Sequence, residues 1–560
     1  VASAINDDAM LDQGLSVGNT MAVIGKASGG QPQTALVFGS PDQAKAVLRK
    51  GELLEAVIRA FNPSNETGGP ESVTAIRIDP AVQSTLQLRD TAAAVVATLT
   101  STGYGLGENQ NKVKVEAATG GRGLKLTTQN GTSYYTADNV LRNAFSLHYT
   151  GAQASGVLGI TGTSVTLEAP SGTNVATIDL NAYPTVQELV DRINAVTGFA
   201  AAVLDGNGAA ATLQGLDFVT AQDVKTATYT ARADLQAVVD WFNSAGEGFC
   251  GAVRPSEVGT LPAAIPFTYF AGGTDGTVMN TDWSNGFSVL QTVDVQWVVP
   301  VSSDPSIHAM ADAHVQFMST VGKKERRAIV GSPLSTADAA AIALAKAINS
   351  DRTSLVHLGG YDFNFQGALK LYPPYIVAAM IAGGFCGLSP GEAMTAKSLN
   401  LRGLERKLRV PTDTDALLLG GVLPLEDDSD GYRVVQSIST WLTDSKFNRR
   451  EQSCGVALDF TVRATREALK PLKGGPGIPT QLGLAVSLTK TALTSLAVPA
   501  PNGPGVLAGD VNSPAFKNIS ATLVGDVIAV TYECSPVIPT NYVTLTVYAK
   551  PYSGSASAAA

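Results

Sequence analysis

Hydrophobic positions along this chain change their period several times, and the changes mark out its elements. Residues 21–24 are a short apolar run closed by Gly25, and residues 35–38 are a second run. Ser40-Pro41-Asp42 then supplies a helix start, with Ser40 as N-cap and Pro41 at the first helical position, where a missing N–H does no harm. Ala44, Val47, Leu48, Leu54, Val57, Ile58 and Phe61 follow at helical spacing, and the polar loop 62–70 ends the helix. Residues 73–78 read as a buried strand. Strand and helix in this order predict a βαβ-like unit.

Between about residues 82 and 248 the texture becomes one of short alternating runs and Gly/Asn turns. Strands are expected at 111–117, 124–128, 164–168 and 175–180. One helix stands among them: Pro184-Thr185 opens it, Val186, Leu189, Val190, Ile193 and Val196 form its apolar face, and Gly198 closes it. The strand–helix rhythm then returns. Strands are expected at 267–270, 293–300, 327–330 and 354–358, with helices at 283–290, 308–321 and 337–348. That alternation predicts an α/β layer around a largely parallel sheet.

Residues 373–382 read as a helix ended by Gly383 and Gly384, and 417–423 and 433–441 read as strands. A long helix is expected at 449–470, although the alternation of Val456, Leu458, Phe460 and Val462 leaves a strand open for part of it. Residues 481–496 admit another helix, and 519–523 and 527–532 read as strands. The cleanest alternation of all follows. Val543, Leu545 and Val547 face one way, and Tyr542, Thr544, Thr546 and Tyr548 face the other, before Pro551 blocks further pairing. The residues alone leave two readings of this strand: closing a sheet of its own subunit, or reaching across to another.

At 560 residues the chain exceeds one core, so about three or four domains are expected. With 44% apolar and 16% charged residues and 56 glycines, the composition is globular and loop-rich. A net charge of −9 argues against a dedicated nucleic-acid binder. No apolar run reaches the roughly 18 residues of a membrane span, and the first residues lack the pattern of a secretory signal. Cys250, Cys386, Cys454 and Cys534 are too far apart for a metal knuckle or a redox pair, and read as buried thiols of a reducing compartment.

Candidate chemistry is thin. Gly272-Gly273-Thr274-Asp275-Gly276 lies between a strand and a helix, where phosphate loops sit, but lacks their Lys-Ser/Thr pair and reads as a turn. His308 and His314 do not share a helix face, and no carboxylate completes a zinc set. Asp427, Asp428 and Asp430 lack EF-hand spacing and read as a solvated turn. No G-x-S-x-G elbow exists. No catalytic residue, metal or cofactor is therefore expected. Positive charge is concentrated at Arg449, Arg450, Arg463, Arg466, Lys470 and Lys473, as a solvated face or as a docking site for an acidic protein.

Several segments, taken in order, resemble contractile bacteriophage tail sheath proteins. The opening unit runs from Val23-Ile24-Gly25 through Leu53-Leu54-Glu55-Ala56-Val57 to the strand ending in Arg77. Gly103-Tyr-Gly-Leu-Gly107 with the strand 111–115, and the turn 271–276 before the strand 293–300, are similar to family segments. So are residues 412–423, Gly431-Tyr-Arg-Val-Val435 and Ser439-Thr440-Trp441. The region from about 120 to 248 departs from the pattern.

The resemblance implies a multidomain α/β and α+β fold. It places an N-terminal arm at 1–20 and an α/β core at 21–81 and 249–400, interrupted by a β-rich outer region of one or two modules at 82–248. A C-terminal α+β assembly domain at 401–539 and a linking strand and tail at 540–560 complete it. It implies a structural, non-enzymatic subunit of the virion tail, assembled in the host cytoplasm. Its partners would be further copies of itself in stacked rings with exchanged arms, the tail tube protein, and baseplate and tail terminator proteins. Neither direct nucleic-acid contact nor membrane insertion is implied. Residues 542–548 would link subunits, and the segment holding Arg449, Arg450, Arg463, Arg466 and Lys470 would face the tube. The contracting particle would be a phage tail or a phage-derived bacteriocin. A multidomain hydrolase with β-rich binding modules is the alternative, and it requires acid, base or nucleophile residues converging on strand ends.

Overall fold

Thr20–Gly25 (β1) carries apolar side chains on both faces, which suits the interior of a sheet covered on both sides. A computed structural model describes residues 19–244, 248–255, 259–364, 366–500 and 502–554, so the arm expected at 1–20 lies almost wholly outside the described residues. The chain divides into two units, one of Val1–Ala27, Gln33–Ile78 and Met279–Ala560, the other of Ser28–Pro32 and Asp79–Val278.

In the first unit, β1 is joined by Ala35–Phe38 (β2), Ser72–Arg77 (β3), Trp297–Pro300 (β4), Arg327–Gly331 (β5) and Thr353–Val356 (β6) in a six-stranded sheet of order β2-β3-β1-β4-β5-β6. Every neighbouring pair is parallel except β2 with β3. The helices are Pro41–Leu48 (α1), Glu52–Phe61 (α2), Asn280–Leu290 (α3), Pro305–Thr320 (α4), Asp338–Ile348 (α5) and Pro374–Gly387 (α6). Met21 and Val23 pack with α2 and α6 in the main core, while Ile24 and Ile76 approach Gly286 of α3 on the other face. The largely parallel α/β layer read from the periodicity is the architecture of this unit.

Several expectations need correction. The helical pattern of 41–61 is two helices, because the chain breaks at Arg49 and Gly51, with φ of 61° and 114°. A Cβ at Gly51 would stand 2.8 Å from the Lys26 carbonyl oxygen, so only glycine allows this approach. Gly383 and Gly384 do not end α6, which runs on to Gly387. Their missing side chains admit Ala60 of α2 and Met394. Residues 417–423 are not a strand. Thr412–Leu419 (α7) is helical, with Asp413 and Asp415 in its first turn, where the exposed N–H groups favour negative charge. The strand read at 433–441 is instead Gly431–Val434, the second arm of a hairpin whose first arm is Leu425–Asp428. The acidic residues 427, 428 and 430 lie at that hairpin. The strand near 267–270, observed as Ile265–Tyr269, pairs with Lys112–Ala117 in the second unit and not with the parallel sheet. The open choice at 449–470 resolves as helix, a turn at Phe447–Arg450 followed by Gln452–Ala468 (α8). Pro479–Leu496 (α9) is also helical.

Among the described residues, the second unit holds two hydrophobic cores. One packs the helix Val186–Asn194, started by a Thr185–Glu188 capping box, against antiparallel strands such as Asn143–Tyr149. The other packs the helix Asp234–Ser244 against strands including Val95–Ser101 and Leu124–Asn130. The turn 272–276 is fastened to its neighbour. Asn109 exchanges two 2.9 Å hydrogen bonds with the Gly273 backbone, and the Asp275 carboxylate accepts from Leu106 N–H.

Candidate assembly site at the arm root and helix α8

The last paired strands are Phe516–Val524 (β7) and Val527–Cys534 (β8), an antiparallel ribbon packed on α8 and α9 through Ala457, Phe460, Leu493 and Leu496. Beyond β8 the chain stays close to the body for a few residues. Ser535 N–H donates to Ala515, Ala508 N–H to Ser535, and Val537 N–H to Val506. A second anchorage follows at Glu451. Its carboxylate is 1% exposed and accepts from Ser437 Oγ at 2.7 Å, Gln436 Nε2 at 3.1 Å and Asn541 Nδ2 at 3.3 Å. Tyr542 Oη donates to Gln436 Oε1 at 3.4 Å. Burial raises the Glu451 carboxyl above its usual range, against the pull of the Ser437, Gln436 and Asn541 hydrogen bonds. Between the two anchorages Ile538 and Pro539 border a cavity of about 720 Å³, with Leu418, Leu419, Phe447 and Arg450 on its other wall.

Residues 543–554 then run free. Val543 is 88% and Leu545 85% exposed, and neither this stretch nor Tyr542 is in a strand. The reading of 542–548 as a closing strand of the subunit's own sheet is thus corrected. The alternating sequence is present, and its partner is not supplied within the described residues.

The cationic residues of 449–470 are mostly engaged inside the chain. Arg463 reaches Asp294 at 2.8 Å and Glu325 at 3.3 Å, and Arg466 meets Glu325 at 2.5 Å. Arg449 lies 4.7 Å from the Trp441 ring centroid, Lys470 pairs with Glu467 at 2.6 Å, and Arg450 borders the arm-root cavity. One carboxylate on α8 does more to fix the helix. Asp459 receives Arg327 and Arg352 from the adjoining β5 and β6 side of the sheet. Neither Glu451 nor Asp459 stood out in the sequence. A single acid inside the apolar run 456–460 was the available signal, since such a group must find donors when buried.

His308 and His314 meet partners inside the fold, and a third histidine, His357, lies at the strand ends. His308 bonds the Ser302 carbonyl, and His314 abuts Arg326. His357 does stand in a Ser–His–Asp row at the strand ends, with Asp338 Oδ1 2.8 Å from Nε2 and Ser332 Oγ 3.4 Å from Nδ1. Yet Ser332 is fully buried and donates to the His357 carbonyl oxygen at 2.9 Å, and Arg406 occupies Asp338. The hydroxyl has neither access nor a base aimed at its proton. The row joins the 403–406 segment to the ends of β5 and β6 instead. Among the described residues no His/Cys/Asp/Glu group has metal-site geometry, and no helix is long and apolar enough to cross a membrane. The four cysteines are free thiols. Burial pushes Cys250 up to about 12 and Cys454 up to about 11.

The largely parallel sheet, the ion-paired helix α8 and the exposed alternating run 542–548 are the features to set beside known proteins. No known family profile matches the chain. It is 26% identical over 571 residues to the tail sheath protein of Bacillus phage SP01, covering 98% of this chain and 95% of that protein. It is 28% identical over 547 residues to the putative tail sheath protein of Enterococcus phage phiEF24C, covering 94% and 92%. The fold is that of the sheath tail protein from Listeria innocua, with a TM-score of 0.55, 14% identity and coverage of 93% and 92%. A sheath tail protein from Desulfitobacterium hafniense gives 0.52, 12%, 93% and 96%. The chain is thus similar over nearly all of its length to phage tail sheath proteins, and these similarities support a structural role in a tail sheath.

Proposed function

We propose that this subunit polymerises as stacked rings around a tail tube, and that the sheath shortens to drive the tube through a bacterial envelope. The supporting observation is the run 542–548, strand-forming in sequence, exposed in the chain and anchored only at its root. A strand added to a neighbour's sheet supplies main-chain hydrogen bonds along its whole length and survives sliding of the bodies it links. Contraction is then a passage between two packings of the same subunits, driven by better interfaces in the second, with no nucleotide consumed. The partners are further copies of the chain, a tube protein, and baseplate and terminator proteins, and the particle is a virion tail put together in the host cytoplasm. The same subunit serves the sheath of a bacteriocin-like particle. No catalytic step belongs to this role.

The tube-facing role of 449–470 stays a proposal with a narrower basis. With Arg463 and Arg466 paired to Asp294 and Glu325, and Lys470 to Glu467, the charge offered to a tube is chiefly that of Arg449, Arg450 and Lys473. Charge reversal at Arg450 and Lys473 tests it by co-assembly with the tube protein, and unimpaired co-assembly counts against it. Truncation after Pro539 tests the linking strand. Sedimentation and negative-stain microscopy should find folded subunits and no ordered cylinders, whereas cylinders as abundant as those of the full chain would sink the reading.

A further inference from the structure

The arm has an acceptor edge within its own chain, and the structure does not use it. Among the described residues β8 pairs only with β7, so its other edge carries unpaired N–H and C=O groups. Antiparallel return of 542–548 onto that edge needs only the short connection 535–541. Both segments are rich in β-branched residues and tyrosine, so pairing would also suit their side chains. An arm closed in this way would fill the donor and the acceptor of one subunit together, leaving neither for a neighbour.

The residues between them are routed elsewhere. Ser535 and Val537 are tied to the segment 506–515, and Asn541 and Tyr542 are tied to Glu451 and Gln436. Glu451 itself is held at the start of α8, where its N–H donates to Phe447 and it forms a bridge with Ile438. Its buried carboxylate needs donors, and Asn541 is the one that comes from the arm. Ser437, Gln436 and Ser453 supply the others from the body.

We propose that the Glu451–Asn541 contact is a clamp that directs the arm away from β8, keeping 542–548 from pairing with its own subunit and so presenting it for exchange. This rests on the linking role proposed above for the arm, and it adds the residue that selects exchange over self-closure. Glu451 acts here as a positioning residue for assembly.

Hydrogen–deuterium exchange on the unassembled full chain tests the clamp without requiring assembly. In the natural sequence, amides of 543–548 exchange at unprotected rates. In Asn541→Ala, which leaves Glu451 and its body-side donors in place, amides of 543–548 and of the outer edge of β8 slow at least tenfold together. Glu451→Ala does the same if it folds, and the arm-side substitution keeps the test available if it does not. Unchanged exchange of 543–548 in Asn541→Ala overturns the clamp, whatever happens to assembly. Slowed exchange upholds it, even if the natural chain forms no cylinders. Failure of the natural chain to form cylinders speaks against the sheath assembly reading alone.

Discussion

Asp459 and Arg352 face each other in a two-pronged ion pair, with both terminal guanidinium nitrogens 2.9 Å from the two carboxylate oxygens. Arg327 adds its Nε at 3.0 Å from the same carboxylate and its Nη1 at 2.8 Å from Gln452. One acid on α8 thus holds two arginines of the parallel sheet. Removing it leaves buried cations without a counter-charge, which is costlier than never having buried them. Asp459→Ala should therefore lower unfolding stability by about 3–5 kcal/mol. Urea unfolding followed by tryptophan fluorescence checks this, and a loss below about 1 kcal/mol would show the pairs to be as weak as surface ones.

The same groups set an acid limit. Burial raises the Asp459 carboxyl, but Arg327 and Arg352 outweigh it and hold the group below its usual range. Burial, with the Arg326 charge behind it, pushes His314 down to about 3. As pH falls below about 6.5, the unfolded chain protonates this histidine while the native chain does not. Stability therefore drops by up to about 1.4 kcal/mol per pH unit for that one group, down to about 3. The Asp459 contribution is intact above about 3.9 and is lost below it, as pH falls towards the lowered native value. His314→Gln should flatten the stability profile between about pH 6.5 and 4. An unchanged slope in that interval would refute the assignment.

Helix α6 and helix α2 touch through a position with no side chain. A Cβ at Gly383 would overlap the Ala60 carbonyl oxygen, which is backbone and has nowhere to retreat. Gly383→Ala gains helix propensity of about 1 kcal/mol and loses the close approach, with overpacking costs of about 1–3 kcal/mol. The net change should be a lowered melting temperature by calorimetry. A raised one would mean that the helices separate without penalty.

In the inserted unit, Thr185 Oγ1 accepts from Glu188 N–H at 3.3 Å while the Glu188 carboxylate accepts from Thr185 N–H at 3.1 Å. Thr185→Ala breaks the box at the start of the helix Val186–Asn194 and should destabilise that helix by about 1 kcal/mol. Faster amide exchange confined to 186–194 is the expected signature, and no change in exchange there would contradict it.

Local chemistry decided much of this protein before any folding. Buried strands such as β1 and β3 showed as apolar runs, and the starts Ser40-Pro41 and Pro184-Thr185 announced helices. The ordered resemblance to sheath proteins was legible as well, because it lay in local patterns strung along the chain. Other features depended on what came near. Gly51 broke a helical pattern and Gly383 did not, since one glycine meets the Lys26 backbone and the other admits Ala60. Leu417 and Leu418 joined a helix because acids preceded them at its start. The basic appearance of 449–470 changed once Asp294, Glu325 and Asp459 arrived from distant sequence to meet its arginines or those of the sheet. By itself the sequence determined which segments favour helix or strand, and it set the alternating pattern of 542–548. Only the tertiary structure decided that the arm's root is held at Glu451, whose buried carboxylate accepts from Asn541, while 542–548 stays unpaired among the described residues.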